Sequence, residues 1–184
     1  MTTQSPFLRP ATTPPLDSVE LIRGAFKDAV HDVINFRGET TVVVDSAKIV
    51  DICEFCRDTE GLEYNFLSDL AYVDYYPNEP RFAVCYHLYS IFYNRRLRLK
   101  VYLPGDDPHL PTITNIYPAA NWQEREAFDM MGIVFDNHPD LRRVLNPRDW
   151  VGHPLRKDYP LGYEPVEFTF NYDEIQRQKP KSRE

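Results

Sequence analysis

The chain has 184 residues, with 21 Lys+Arg against 28 Asp+Glu and a formal net charge of -7. That length suits one compact domain plus extensions. The acidic balance, without a basic block, argues against a nucleic-acid partner. No apolar run approaches the ~20 residues that cross a bilayer.

Residues 1–15 read "MTTQSPFLRPATTPP", with no apolar signal core. Their prolines disfavour helix, so this segment reads as a flexible or extended arm with Phe7 and Leu8 as its few anchors. The expectation is a protein kept in the cytosol that meets a membrane only through a partner.

The first helix is expected in "LDSVELIRGAFKDAV", where Asp17 can cap, Glu20 follows three residues on, and Val19, Ile22 and Phe26 share a face. "DVINFRGETTVVVD" reads as two strands turning at Arg37-Gly38-Glu39. "SAKIVDICEFCRDTEG" reads as a second helix with Gly61 as its stop. Its Ile49, Ile52, Cys53 and Cys56 stand at i, i+3, i+4 and i+7. The CxxC pair has metal-ligand spacing, but that stripe and the lack of further soft ligands favour two core cysteines. Three cysteines in all do not make a disulfide framework.

Three strands follow. "LAYVDYY" ends at Pro77. "RFAVCYHLYSIF" puts Phe82, Val84, Tyr86 and Leu88 on one side and Ala83, Cys85, His87 and Tyr89 on the other. "LRLKVYLPG" alternates Leu97, Leu99 and Val101 with Arg98, Lys100 and Tyr102, a half-buried strand with one wet face. The intervening "YNRR" suits a hairpin turn. Over residues 16–118 this order predicts an α+β domain, two helices packed on a mixed or antiparallel sheet. "GDDPHLPTITNIYPAA" reads as a proline-studded connection.

Residues 119–148 carry the densest chemistry, "NWQEREAFDMMGIVFDNHPDLRRVL". Asn121 is expected to cap a short helix, with Glu124 at its third position as in a capping box. Glu124 and Glu126 in the first turn would each gain ~0.3–1 kcal/mol from the helix dipole. Ala127, Met130, Met131 and Val134 form an apolar face, Gly132 ends the helix, and Arg125 can pair with Asp129. An enzyme would instead use Glu124 or Glu126 with His138 as acid and base. Glu124 and Glu126, two apart, do not share a helical face, and His138 lies past the helix before Pro139. No nucleophile elbow, phosphate loop, GxGxxG or HExxH is present.

Residues 149–184 combine many prolines with Trp150, Leu155, Tyr159, Leu161, Tyr163, Phe168, Phe170 and Tyr172. Such a stretch is too apolar for a simple disordered tail and too proline-rich for a helix or a central strand. It reads as a long extended C-terminal segment whose anchors need a surface. "VEFTFNY" could add a strand to a partner's sheet edge, with Phe168, Phe170 and Tyr172 on one side. Arg142, Arg143, Arg148 and Arg156 supply forked donors for carboxylates.

"EREAFDMMGIVFDNHPDLRRVL" closely resembles the diagnostic segment of the thirty-kilodalton subunit of respiratory complex I, its C subunit. The pattern is met by Glu124-Arg125-Glu126, Asp129, Met130-Met131, His138, Arg142 and Val144-Leu145. "DWVGHPLRKDYPL", residues 149–161, looks like the family's next block. The resemblance implies a non-catalytic peripheral-arm component with no catalytic, cofactor or metal residues of its own. FMN, iron–sulfur clusters and quinone would reside on other subunits. It implies a clamp on the large D subunit, with the B and I subunits as further partners, on the cytoplasmic side of the bacterial plasma membrane. Glu124, Arg125, Glu126, Asp129, His138, Arg142, Arg143, Trp150, Arg156 and Tyr159 would then belong to an interface with those partners. The equivalent component of a ferredoxin-linked relative or of a membrane-bound hydrogenase is the alternative. A free-standing hydrolase using Glu124, Glu126 and His138 is the distant one.

Overall fold

The computed structural model describes residues 16–160 and 168–178. The N-terminal arm, residues 161–167 with Leu161 and Tyr163, and residues 179–184 lie outside that description. In chain order the elements are α1 (Ser18–Ala25), β1 (Val30–Phe36), β2 (Glu39–Val44), α2 (Ile49–Asp58), β3 (Phe66–Asp74), β4 (Phe82–Ser90), β5 (Arg95–Leu103), β6 (His109–Pro111), α3 (Ala120–Met131), β7 (Val134–Asp136) and α4 (Tyr172–Gln178). Short 3-10 turns precede β1 and α2.

The predicted α+β fold is present. Five strands form one mixed sheet in the order β1-β2-β5-β4-β3. β1–β2, β3–β4 and β4–β5 pair antiparallel. β2 and β5 pair parallel, and the chain between them crosses through α2 to the far edge strand β3 and returns through β4. Asp17 caps α1 through the N–H groups of Val19 and Glu20. Ile49, Ile52, Cys53 and Cys56 of α2 are fully buried against Phe82, Val84, Tyr86 and Leu88 of β4, as the two periodicities require. Burial pushes the Cys56 thiol up to about 12.

Two elements depart from expectation. Residues 104–118 are not a bare connection. Leu110 and Ile113 are wholly buried, and β6 pairs parallel with β7 to close the core behind α3. Their alternation is too short to read as a strand without its partner. The C-terminal segment is also not extended throughout, since α4 (Tyr172–Gln178) forms within it. Asn171 Oδ1 accepts from the Phe168 N–H at 2.6 Å, a turn that starts α4, and the Phe168 and Phe170 rings stack at 5.4 Å. An asparagine closing a local ring offers the backbone an alternative to extended pairing.

Candidate functional site

α3 begins one residue earlier than Asn121 and has no side-chain cap. The preceding turns supply its entry: the Ala120 N–H bonds Tyr117 O at 2.9 Å and the Asn121 N–H bonds Pro118 O at 3.3 Å. Glu124 is therefore free of capping and turns inward, where it is fully buried. Its carboxyl accepts from Thr112 Oγ1 at 2.5 Å and from the Ile113 N–H at 2.9 Å. Burial pushes it up to about 7, against the pull of Thr112 and Ile113.

His138 meets Glu124 across this sealed pocket, Nε2 to Oε2 at 3.8 Å, with neither side chain exposed. Its Nδ1 accepts from the Asp140 N–H at 3.0 Å, so the ring proton lies on Nε2 and points at Asn121 O, 3.3 Å away. Burial lowers the His138 pKa, which keeps the ring neutral. The result is a buried carboxyl–imidazole pair without water access. Glu126 is on the other side of the helix, accepting from the Tyr72 hydroxyl at 2.9 Å. A hydrolytic centre from these three residues is not assembled.

Glu124 carries a pH prediction. Its folded pKa, about 7, lies above the ordinary carboxyl value. Its contribution to stability is therefore fully present in acid and falls as pH rises towards 7. Glu124→Gln removes that slope, because Thr112 can accept from the amide while donating to Thr114, 3.0 Å away. Urea melts from pH 5 to pH 8 should show the wild type losing on the order of 2–3 kcal/mol more than the variant. Parallel curves for the two proteins would refute this assignment.

Asp129 organises the second centre. It is fully buried. Oδ2 accepts from three successive N–H groups, Val144 at 3.0 Å and Leu145 and Asn146 at 2.8 Å each. Oδ1 accepts from Arg143 Nη1 at 2.7 Å and Asn146 Nδ2 at 3.0 Å. Burial alone would raise this carboxyl, but the Asn146 and Leu145 N–H groups and the Arg143 guanidinium hold it at about 2. Arg125 does not pair with Asp129. Its Nε donates to Arg142 O at 3.1 Å and its guanidinium lies 4.7 Å from the Trp122 ring.

Residues 143–158 then run as a strap over the C-terminus of α3. The last carbonyls of a helix lack intrahelical partners. Here the strap supplies them: His153 Nδ1 donates to Asp129 O at 3.0 Å, the Leu155 N–H to Met130 O at 3.1 Å and Arg156 Nε to Met131 O at 2.6 Å. Arginines at this end also complement the helix dipole. A second anchor joins the strap to the sheet. Arg81 forks onto Asp74 at 2.9–3.0 Å and onto Asp158 at 2.5–2.9 Å, while the Lys157 N–H donates to Asp74 Oδ2 at 2.9 Å.

Of the expected interface residues, Glu124, Asp129, His138, Arg143 and Arg156 bond within the chain. Tyr159 joins them, its hydroxyl donating to Val151 O at 3.0 Å. Arg125, Glu126, Arg142 and Trp150 sit at or near the surface, Arg142 paired with Asp140 at 2.6 Å. Asp74, Arg81, His153 and Asp158 were not legible, because each depends on a pairing across the fold. Beside the exposed Arg148, Asp149 and Lys157, the strap leaves large apolar groups outside: Leu145 is 62 % exposed, Val151 84 % and Leu155 52 %.

Gly132 makes the strap possible. It ends α3 with φ +73°, and a Cβ there would stand 2.6 Å from His153 and from Arg156. Gly132→Ala should cost about 2–4 kcal/mol, from left-handed strain plus displacement of both side chains. A shift of the urea midpoint at unchanged slope would register it. An unshifted midpoint would show that the strap contributes nothing here.

Among the described residues no group of three or more His, Cys, Asp or Glu is gathered as a metal centre needs. No described helix is long and apolar enough to cross a membrane.

Comparison with known proteins places these features in context. The family described as respiratory-chain NADH dehydrogenase, 30 Kd subunit, matches residues 42–165. A Roseiflexus sp. (strain RS-1) protein, named as the C subunit of NADH-quinone oxidoreductase, is 49 % identical over 166 residues, 90 % of this chain and 95 % of its own. One of the same name from Geobacter sulfurreducens is 52 % identical over 141 residues, 76 % of this chain and 86 % of its own. The solved trypsin-resistant fragment of Nqo5 is 33 % identical, with a TM-score of 0.57, covering 67 % of this chain and 99 % of the fragment. A chain of an archaeal membrane-bound sulfane sulfur reductase shares the fold, with a TM-score of 0.65 at 21 % identity over 90 % of this chain and 92 % of its own.

Proposed function

The chain belongs to the respiratory-chain NADH dehydrogenase 30 Kd subunit family, and on that premise we propose that it is a non-catalytic clamp in the peripheral arm of a proton-pumping NADH:quinone oxidoreductase. Residues 16–118 form its body, 119–148 its motif helix and loop, and 149–184 its interaction segment. The D subunit of that complex is the main partner, and the B and I subunits are neighbours. FMN, iron–sulfur clusters and quinone belong to those and other subunits. The complex is held at the cytoplasmic side of the bacterial plasma membrane.

One observation carries the reading: the strap is inside out. Four of its polar and charged groups, Arg143, His153, Arg156 and Asp158, bond inward to the domain, while Arg148, Asp149 and Lys157 stay exposed. Its large apolar groups Leu145, Val151 and Leu155 face outward. An isolated globule gains nothing by exposing those side chains, whereas large apolar groups set among polar ones are what a protein interface presents.

A paired substitution tests it. Val151→Asp with Leu155→Asp touches exposed side chains, so the free chain should melt within ~0.5 kcal/mol of wild type. In cells the other subunits should copurify at least tenfold less well, the loss expected when central apolar anchors are replaced. Normal copurification would place the partner surface elsewhere.

A further inference from the structure

The helices and the β6–β7 pair cover one face of the five-stranded sheet. The opposite face carries the other parity of every strand: Asp32, Ile34 and Phe36 from β1; Glu39, Thr41 and Val43 from β2; Arg96, Arg98 and Lys100 from β5; Cys85, His87 and Tyr89 from β4; Phe66, Asp69 and Val73 from β3. Among the described elements α3 reaches it only at the β3 edge, where Gln123 Nε2 donates to Asp69 Oδ1 at 3.4 Å. Phe36 is 65 % exposed and Phe66 48 %, with Ile34, Val73 and Tyr102 also open.

We propose that this face is a second docking surface, distinct from the strap, for an acidic protein surface elsewhere in the same assembly. The proposal rests on the clamp reading only in requiring that the chain belong to an assembly.

Charge supplies the argument. The chain as a whole is acidic, at -7. Yet the middle of this face is a cationic row, Arg96, Arg98 and Lys100 at every second residue of β5, about 13 Å long at the strand rise. Arg98 is offset by Glu39, 2.5 Å away. Lys100 meets no carboxylate: it bonds the Tyr75 hydroxyl at 3.0 Å and the Tyr102 side chain and lies over both rings. Arg96, exposed, makes no ion pair with any described residue, and Arg37 at the adjoining turn lies over the Phe36 ring. Carboxylates occupy the margins, Asp32 on one edge strand and Asp69 on the other. The pattern is cations in the centre, with acids and exposed apolar groups at both edges.

That alternation chooses the occupant. An anionic lipid surface is uniformly negative and would meet Asp32, Asp69 and Glu39 as repulsion. A protein can present carboxylates opposite β5 and neutral or basic groups at the margins, so the match gives register as well as attraction. Arg and aromatic side chains on a rigid strand platform are also the composition found at protein interfaces.

The test uses the assembled complex from membranes. Phe36→p-benzoylphenylalanine places a photo-reactive ring on the face, and the same replacement at Trp150 marks the strap. Both positions are solvent-exposed, so the free variants should keep the wild-type circular dichroism. Irradiation should link position 36 to another protein of the complex, at a segment rich in Asp and Glu, and Arg96→Glu should cut that yield at least tenfold. Adducts with lipid only, with a second copy of this chain only, or no adduct overturn the inference, as does a yield indifferent to Arg96→Glu. If other subunits copurify and position 150 crosslinks while position 36 does not, this inference fails alone. If no other subunits copurify, the clamp reading fails and takes it along.

Discussion

Asp129→Ala releases residues 143–158 from the end of α3 and leaves the five-stranded sheet in place. The carboxylate gathers three N–H groups, a guanidinium and an amide within 3.0 Å. Alanine removes all five acceptor contacts at once and leaves Arg143, only 16 % exposed, without its counter-charge. Breaking one side of a buried pair typically costs about 3–5 kcal/mol. The chain escapes that cost by local opening, since the strap can go into solvent where water satisfies its donors. Hydrogen exchange should therefore show lost protection at Val144, Leu145, Asn146 and Leu155, with β4 and β5 amides unchanged. Copurification of partner subunits should fall with it, because Leu145, Val151 and Leu155 are no longer held in fixed positions. Unaltered exchange at those four amides would mean that the carboxylate does not hold the strap.

Arg81→Ala has an effect of similar size at the other anchor. Arg81 is the shared cation of Asp74 and Asp158, and the Asp74 side chain is 1 % exposed. Burial by itself would raise Asp74, but the Arg81 fork and the Lys157 and Tyr76 N–H groups hold it at about 2. Without the arginine a buried carboxylate stays behind, again at about 3–5 kcal/mol. Arg81→Lys should recover less than half, since an ammonium cannot bond two carboxylates through parallel forks. The pH dependence follows from the depressed pKa values of Asp74 and Asp129. Their stabilisation is present above the unfolded carboxyl value near ~4 and is lost as pH falls through about 2. In Arg81→Ala the Asp74 carboxyl titrates higher, so acid unfolding monitored by fluorescence should begin at higher pH than in wild type. Coincident acid transitions would count against the assignment.

The sheet and its helices are readable because their information is periodic. Phe82, Val84, Tyr86 and Leu88 alternate, and Ile49, Ile52, Cys53 and Cys56 recur at helical spacing, so each pattern names its own buried face. The family motif is readable as a string but not as geometry. Glu124 resembles a capping residue because local rules treat an acid after Asn121 that way. Its actual partners, Thr112 and Ile113, sit in a segment that reads as a connection. Asp129 resembles a partner for Arg125, four residues away, but three backbone N–H groups fifteen to seventeen residues on outcompete one exposed ion pair. The Asp74–Arg81–Asp158 anchor joins positions up to 84 residues apart and leaves no mark in any short window.

The inside-out strap also sets an order of events. Its contacts reach Asp74 and Arg81 in the sheet, Asp129 to Met131 in α3, and Gly132 beyond. None of these footholds exists until β3, β4 and α3 are in native position. Leu145, Val151 and Leu155 can therefore line up only on a finished molecule, while an immature one offers them as scattered, unrelated side chains. Recruitment into a larger machine becomes, by construction, an inspection of whether this chain has completed its own folding.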